Sequence, residues 1–143
     1  FLSFDGELDT QPLIEQLWRA GKRVYLPVLH PFSAGNLLFL NYHPQSELVM
    51  NRLKIHEPKL DVRDVLPLSR LDVLITPLVA FDEYGQRLGM GGGFYDRTLQ
   101  NWQHYKTQPV GYAHDCQLVE KLPVEEWDIP LPAVVTPSKV WEW

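Results

Sequence analysis

The chain is poor in several things, and each shortage closes a class of function. It has one cysteine, Cys116. No internal disulfide can therefore form, and a zinc site on paired cysteines is excluded. A reducing, cytoplasmic setting fits best. It has no excess of positive charge: 13 Lys and Arg stand against 18 Asp and Glu, a net charge of -5. That argues against wholesale binding to nucleic acid or to an anionic membrane, which would need a basic face. No apolar run reaches the length that spans a bilayer. No serine sits in a Gly-x-Ser-x-Gly setting, and the five histidines show no close zinc-ligand spacing. His114 and Cys116 would share a strand face, but no motif supports a thiol–imidazole pair there.

What is present is enough apolar material for one domain. The 143 residues are 45% hydrophobic and 22% charged, ordinary for a globular protein with a real core. Thr10 reads as a helix N-cap, with Pro12 in the first turn, where a missing N–H costs nothing. Leu13, Ile14, Leu17 and Trp18 recur at helical spacing, and Gly21 is placed to end the helix. Residues 2–4 suggest a strand end. Arg23 to Val28 reads as a strand, with Pro27 marking an edge. Leu37 to Tyr42 is a second apolar run, a hairpin arm or edge strand. Residues 43–68 read as irregular.

Asp72 to Thr76 is a short buried strand of the kind that parallel sheets bury on both faces. A helix over 94–102, strands over 110–113 and 133–136, and a short helix over 116–122 complete the reading. Trp141 and Trp143 are expected to pack the C-terminal end. Strands alternating with helices indicate an α/β domain. The expected architecture is three layers, α/β/α, around a mostly parallel, Rossmann-like sheet.

The densest signal is RLGMGGGFYD, Arg87 to Asp96, which holds four of the nine glycines. Residues without Cβ let backbone N–H groups turn toward one point and approach a ligand closely. Two phosphate-loop patterns fail here. A P-loop needs Gly-Lys-Ser/Thr, but Gly93 is followed by Phe94. The dinucleotide pattern would need glycine at position 94. What remains is strand, glycine turn and helix, with the helix aiming its first N–H groups at the loop. Arg87 and Arg97 bracket it and can neutralise phosphate oxygens. Four glycines between two arginines favour an anion site over a tight packing turn. Asp96 fits a metal that bridges phosphates. It fits equally a first-turn aspartate that stabilises the helix dipole.

The string FDEYGQRLGMGGGFYDRTL resembles the signature of 5-formyltetrahydrofolate cyclo-ligases. FLSFDGELDT, GKRVYLPV, IHEP (Ile55 to Pro58) and EEWDIPLPAVVT resemble further family segments in the same order. The likeness covers essentially the whole chain. It implies ATP-dependent conversion of 5-formyltetrahydrofolate to 5,10-methenyltetrahydrofolate, with release of ADP and phosphate. By motif position it implies that Arg87, Leu88, Gly89, Met90, Gly91, Gly92, Gly93, Phe94 and Tyr95 cradle ATP. Met90 to Phe94 would also border the folate, with Leu2 as an apolar substrate contact and Glu7 on the pterin. Asp96 and Asp128 would ligate Mg²⁺.

Met90 stands where members often carry arginine. A basic opening helix of the family is not matched, so the chain is expected to lack an N-terminal segment. The expected partners are ATP and 5-formyltetrahydrofolate, with no nucleic acid and no membrane, and the expected state is a monomer. Two rivals remain: a non-catalytic nucleotide-binding or regulatory domain of the same fold, and a sugar-phosphate isomerase or transferase. The latter would need an acid/base residue beside the loop, and none stands out.

Overall fold

The structure is a computed structural model and describes residues 1–2, 7–29, 37–51, 55–89, 93–100, 102–124 and 128–143. Helix α1 spans Gln11–Arg19 and leads into strand β1, Val24–Leu29. Thr10 does occupy the N-cap, but its hydroxyl donates to the Phe1 carbonyl at 2.6 Å instead of capping. Asp9 does the local work, accepting the Gln11 N–H at 3.0 Å. Pro12 sits in the first turn, and Gly21, at φ +74°, follows the helix end as expected. Ile14 is buried while its neighbours on that face are half-buried.

Strand β2 (Leu37–Tyr42) pairs antiparallel with β1 along its whole length, with Leu26 opposite Leu40. The Pro27 position is the tolerable one, because β1 lies at the edge of its sheet. The region expected to be irregular holds a small hairpin, β3 (Leu48–Met50) and β4 (His56–Pro58), and then β5 (Val65–Leu66) beside β2. Strands of two or three residues are too short for an alternating pattern to show, which is why sequence missed them.

The core lies around β6 (Val73–Thr76), β9 (Gln108–Tyr112) and β11 (Ala133–Val135). β9 pairs parallel with both β6 and β11, and β12 (Val140–Glu142) closes the sheet antiparallel to β11. The adjoining strip is β7 (Ala80–Asp82), β8 (Arg87–Leu88) and β10 (Leu118–Val119), where β7 pairs antiparallel with β8 and parallel with β10. Helix α2, Phe94–Leu99, is shorter than the expected 94–102 span. A single 3-10 turn, Trp102–His104, continues that region.

The short helix expected over 116–122 is one 3-10 turn, Asp115–Gln117, running into β10. Trp141 and Trp143 stack on each other, and Trp141 meets Phe81 edge-on. The suggested strand end at residues 2–4 falls almost wholly outside the described residues.

The α/β class is therefore observed, but a mostly parallel sheet is not. Among the described residues the parallel pairings are confined to β6, β9, β11 and the β7–β10 contact, while the others are antiparallel. The reason is the spacing between strands. Only α1 and α2 are α-helices among the described residues, so most connections are too short for the crossover a parallel pair needs. Phe81, Leu99, Ala113 and Val134 are fully buried in one cluster. No helix among the described residues is long and apolar enough to cross a membrane.

Candidate functional site

The site grows from the β7–β8 hairpin. Asp82 ends β7 and is fully buried. Its Oδ1 accepts the Tyr84 and Gln86 N–H groups at 2.9 and 3.1 Å. Its Oδ2 accepts the Leu122 N–H at 2.9 Å. One carboxylate thus shapes the turn and ties it to the chain segment ahead of Asp128. Burying a charge is tolerable here because three N–H groups satisfy it. This positioning role was not read from the sequence. The signal existed: an aspartate two residues before a Tyr-Gly turn is the pattern of an Asx turn.

The hairpin delivers Arg87. Its side chain is only 5% exposed and lies at the foot of the glycine loop. Nη2 donates to the Pro77 carbonyl at 2.9 Å. Nη1 stands 3.6 Å from Asp96 Oδ1, an ion pair too long to be a hydrogen bond. The guanidinium carbon is 5.7 Å from the centre of the Tyr95 ring. Nε is buried and has no hydrogen-bond partner among the described residues. Burial pushes the guanidinium below its ordinary pKa, while the charges of Asp96, Tyr95 and Asp128 push it back up.

The two ends of the loop make room for cations. A Cβ at Gly89 would stand 3.0 Å from Arg87 Nη2, and one at Gly93 would stand 2.7 Å from Arg97 Nη1. Gly93 also takes φ +69°, in the left-handed region where side chains are strained. The glycines here are thus seats for two guanidinium groups as well as turn-formers. Arg97 in turn lies over the Phe94 ring, 5.4 Å from its centre.

Phe94, Tyr95 and Asp96 form the first turn of α2. Asp96 Oδ1 accepts the Ile129 N–H at 3.2 Å, which brings the 128–129 segment onto the helix. Burial also pushes the Tyr95 hydroxyl up, and the charge of Glu7 adds to that shift. Five of the residues expected in the site, Glu7, Arg87, Tyr95, Asp96 and Asp128, therefore share one electrostatic neighbourhood. Leu88 is exposed at the end of β8, and Leu2 is half-buried. Met90, Gly91 and Gly92, expected to touch both ATP and folate, lie outside the described residues.

The expected anion site at a helix N-terminus changes character. With six residues, α2 is too short to add much of a dipole. The positive charge comes from the arginines instead. A cavity of about 290 Å³ elsewhere, lined among others by His43, Glu47, Lys59 and Asp61, includes none of these residues. Among the described residues no group of three or more metal-ligating side chains occurs. Any divalent ion would therefore rest on one or two carboxylates plus oxygens from a ligand, the usual arrangement for Mg²⁺ with phosphates. Asp96 lies 3.6 Å from the Arg87 guanidinium, and the charge of Asp128 also acts on it.

Comparison with known proteins places the chain in a family. The sequence profile of the 5-formyltetrahydrofolate cyclo-ligase family matches residues 1–137. A 5-formyltetrahydrofolate cyclo-ligase of Haemophilus influenzae is 61% identical over 131 residues, covering 92% of this chain and 70% of that protein. One from Mycolicibacterium smegmatis is 34% identical over 130 residues, covering 89% of this chain and 66% of its own length. The solved structure of an Aquifex aeolicus 5,10-methenyltetrahydrofolate synthetase superposes with a TM-score of 0.79 at 31% identity, covering 98% of this chain and 68% of that one. This chain thus spans about two thirds of the length of such relatives. It belongs to the 5-formyltetrahydrofolate cyclo-ligase family.

Proposed function

We propose that this chain carries out the ATP-dependent conversion of 5-formyltetrahydrofolate to 5,10-methenyltetrahydrofolate, releasing ADP and phosphate. Family membership sets the reaction class. The observation that carries the proposal in this chain is the Arg87 side chain. It is a buried cation whose Nε has no partner among the described residues, set beside a glycine loop and within the field of two carboxylates. A buried donor without an acceptor is costly unless a ligand completes it. A phosphate oxygen is the natural acceptor.

In this reading the formyl oxygen attacks the γ-phosphorus of ATP, and ADP leaves. The N10 lone pair then closes on the formyl carbon. The carbon–oxygen bond breaks, phosphate departs, and N10 gives up its proton. An amide oxygen leaves poorly, and phosphorylation makes it a good leaving group. The protein's tasks are alignment and charge neutralisation, which dominate phosphoryl-transfer catalysis.

Arg87 supplies a fixed positive charge at the phosphates, and Arg97 a second one beside Gly93. Glu7 accepts the paired N–H groups of the pterin's aminopyrimidine edge, and Leu2 adds an apolar contact. Tyr95 and Phe94 wall the junction where the two ligands meet. The loop from Arg87 to Tyr95 follows the triphosphate, with residues 90–94 bordering both ligands. Asp96 and Asp128 would hold Mg²⁺, which when bound supplies positive charge to the phosphate oxygens. We also read the chain as a monomeric cytoplasmic protein. Its fold is read as three layers.

The test is spectroscopic. Methenyl product should appear with 5-formyltetrahydrofolate and Mg·ATP, and not when either is withheld. Nucleotide binding without any methenyl formation would favour the non-catalytic rival.

A further inference from the structure

We propose that Arg87 couples the entry of the divalent cation to that of the triphosphate. Its guanidinium is the resident counter-charge of Asp96 and Asp128, and it admits a metal ion to those carboxylates only together with phosphate. This rests on the function proposed above and deepens it, by assigning the site an order of occupancy.

Arg87 is a poorly compensated cation. Its side chain is 5% exposed, so water does little to stabilise its charge. Yet its ion pair with Asp96 is loose, at 3.6 Å, with the charge of Asp128 adding its field. One close contact, the Pro77 carbonyl, is neutral. The guanidinium is also held in place. The Pro77 carbonyl accepts from Nη2, and the Tyr95 ring lies against the guanidinium. A divalent cation arriving alone would claim the same carboxylates. It would strip a buried cation of its counter-charge and set a second cation beside it, the least favourable outcome in a poorly hydrated site.

A cation arriving with a triphosphate brings its own negative charge. Phosphate oxygens can give Nε the acceptor it lacks and replace the aspartates as partners of Arg87. Asp96 does not need Arg87 to aim it, since the Ile129 N–H already fixes Oδ1. Arg87 therefore acts on the metal through charge and not through orientation. By linkage, the factor by which nucleotide tightens metal binding is the factor by which metal tightens nucleotide binding.

The experiment titrates Mn²⁺, read by its electron paramagnetic resonance, against the wild type, Arg87→Met and Arg87→Lys. Each is measured with and without a non-hydrolysable ATP analogue. The wild type should bind Mn²⁺ alone at least tenfold more weakly than Mn²⁺ with the analogue. Arg87→Met should bind Mn²⁺ alone about tenfold more tightly than wild type, a modest figure for removing a like charge a few ångströms away. Most of the gap between the two conditions should close.

Arg87→Lys keeps the charge and should keep the weak binding of bare metal. Should Arg87→Met fail to fold by circular dichroism, Arg87→Gln, which also removes the charge, takes its place and should likewise tighten bare Mn²⁺. Unchanged or weaker bare-metal binding in folded Arg87→Met or Arg87→Gln overturns the proposal alone. A wild type that binds neither the analogue nor Mn²⁺ with it overturns the nucleotide site and this inference together.

Discussion

Arg63 reaches Asp61 at 2.7 Å through Nη2 and at 3.1 Å through Nε, whereas Arg87 comes no nearer than 3.6 Å to Asp96. The tighter pair is the exposed one. Asp61 also accepts the Arg63 N–H and so caps a 3-10 turn. Surface pairs of this kind contribute little, because water and salt already screen both charges. The looser pair is buried, where a mismatch is expensive. A fold selected only for stability would have closed the gap between Arg87 and Asp96. It persists beside an Nε unpartnered among the described residues, a coordination that the proposed ligand would complete.

The largest effect expected from breaking this contrast comes from Asp96→Ala. Turnover should fall on the order of 100- to 1000-fold, the scale of losing one preorganised charge-stabilising contact. The variant should also lose about 3 kcal/mol of stability, because Arg87 stays buried without its nearest counter-charge. Adding Arg87→Met should recover much of that stability in urea unfolding and none of the activity. If Asp96→Ala turns over like wild type in the methenyl assay, the metal assignment falls.

Asp82→Asn comes next. An amide keeps an acceptor for Tyr84 and Gln86 but points a donor at the Leu122 N–H. A loss of about 2 kcal/mol is expected from the unsatisfied, opposed groups. The KM for Mg·ATP should rise more than kcat falls, since the link to the segment before Asp128 is what slackens. Gly93→Ala is milder, costing about 1 kcal/mol for a left-handed residue with a Cβ. It also crowds Arg97, so nucleotide affinity by calorimetry should drop.

How much of this was legible in the sequence follows from the range of each interaction. Helix α1, the β1–β2 hairpin and strands β6, β9 and β11 were readable because local spacing and punctuation define them, as at Thr10, Pro12 and Gly21. The glycine loop was readable because its composition is rare. The direction of the strands was not, since pairing depends on chain reversals between residues far apart. Nor was the 3-10 character of residues 115–117, where only one turn forms. At the site, the residue types were legible and their partners were not. Nothing local says that the Arg87 guanidinium would spend Nη2 on the Pro77 carbonyl, or that Asp96 would accept from Ile129. Asp82 shows the same limit: its turn was visible in FDEYG, but its grip on Leu122, forty residues on, was not.

The smallest expected effect tests the exposed side of the comparison. Hydrogen bonds from Arg63 hold the Asp61 carboxyl down to about 2, below its ordinary 3.8. A depressed folded-state value means that the ionised form is favoured by folding. The contribution is therefore full above about pH 4 and is lost as pH falls toward 2. Asp61→Asn keeps the cap on the Arg63 N–H and removes only the charge. Its melting temperature should trail that of wild type slightly at neutral pH and low salt. The difference should shrink when salt is added and vanish on acidification through that window. A large gap at neutral pH that resists salt would mean that the exposed pair bears on stability as a buried one does, and the contrast with Arg87 and Asp96 would no longer single out the site.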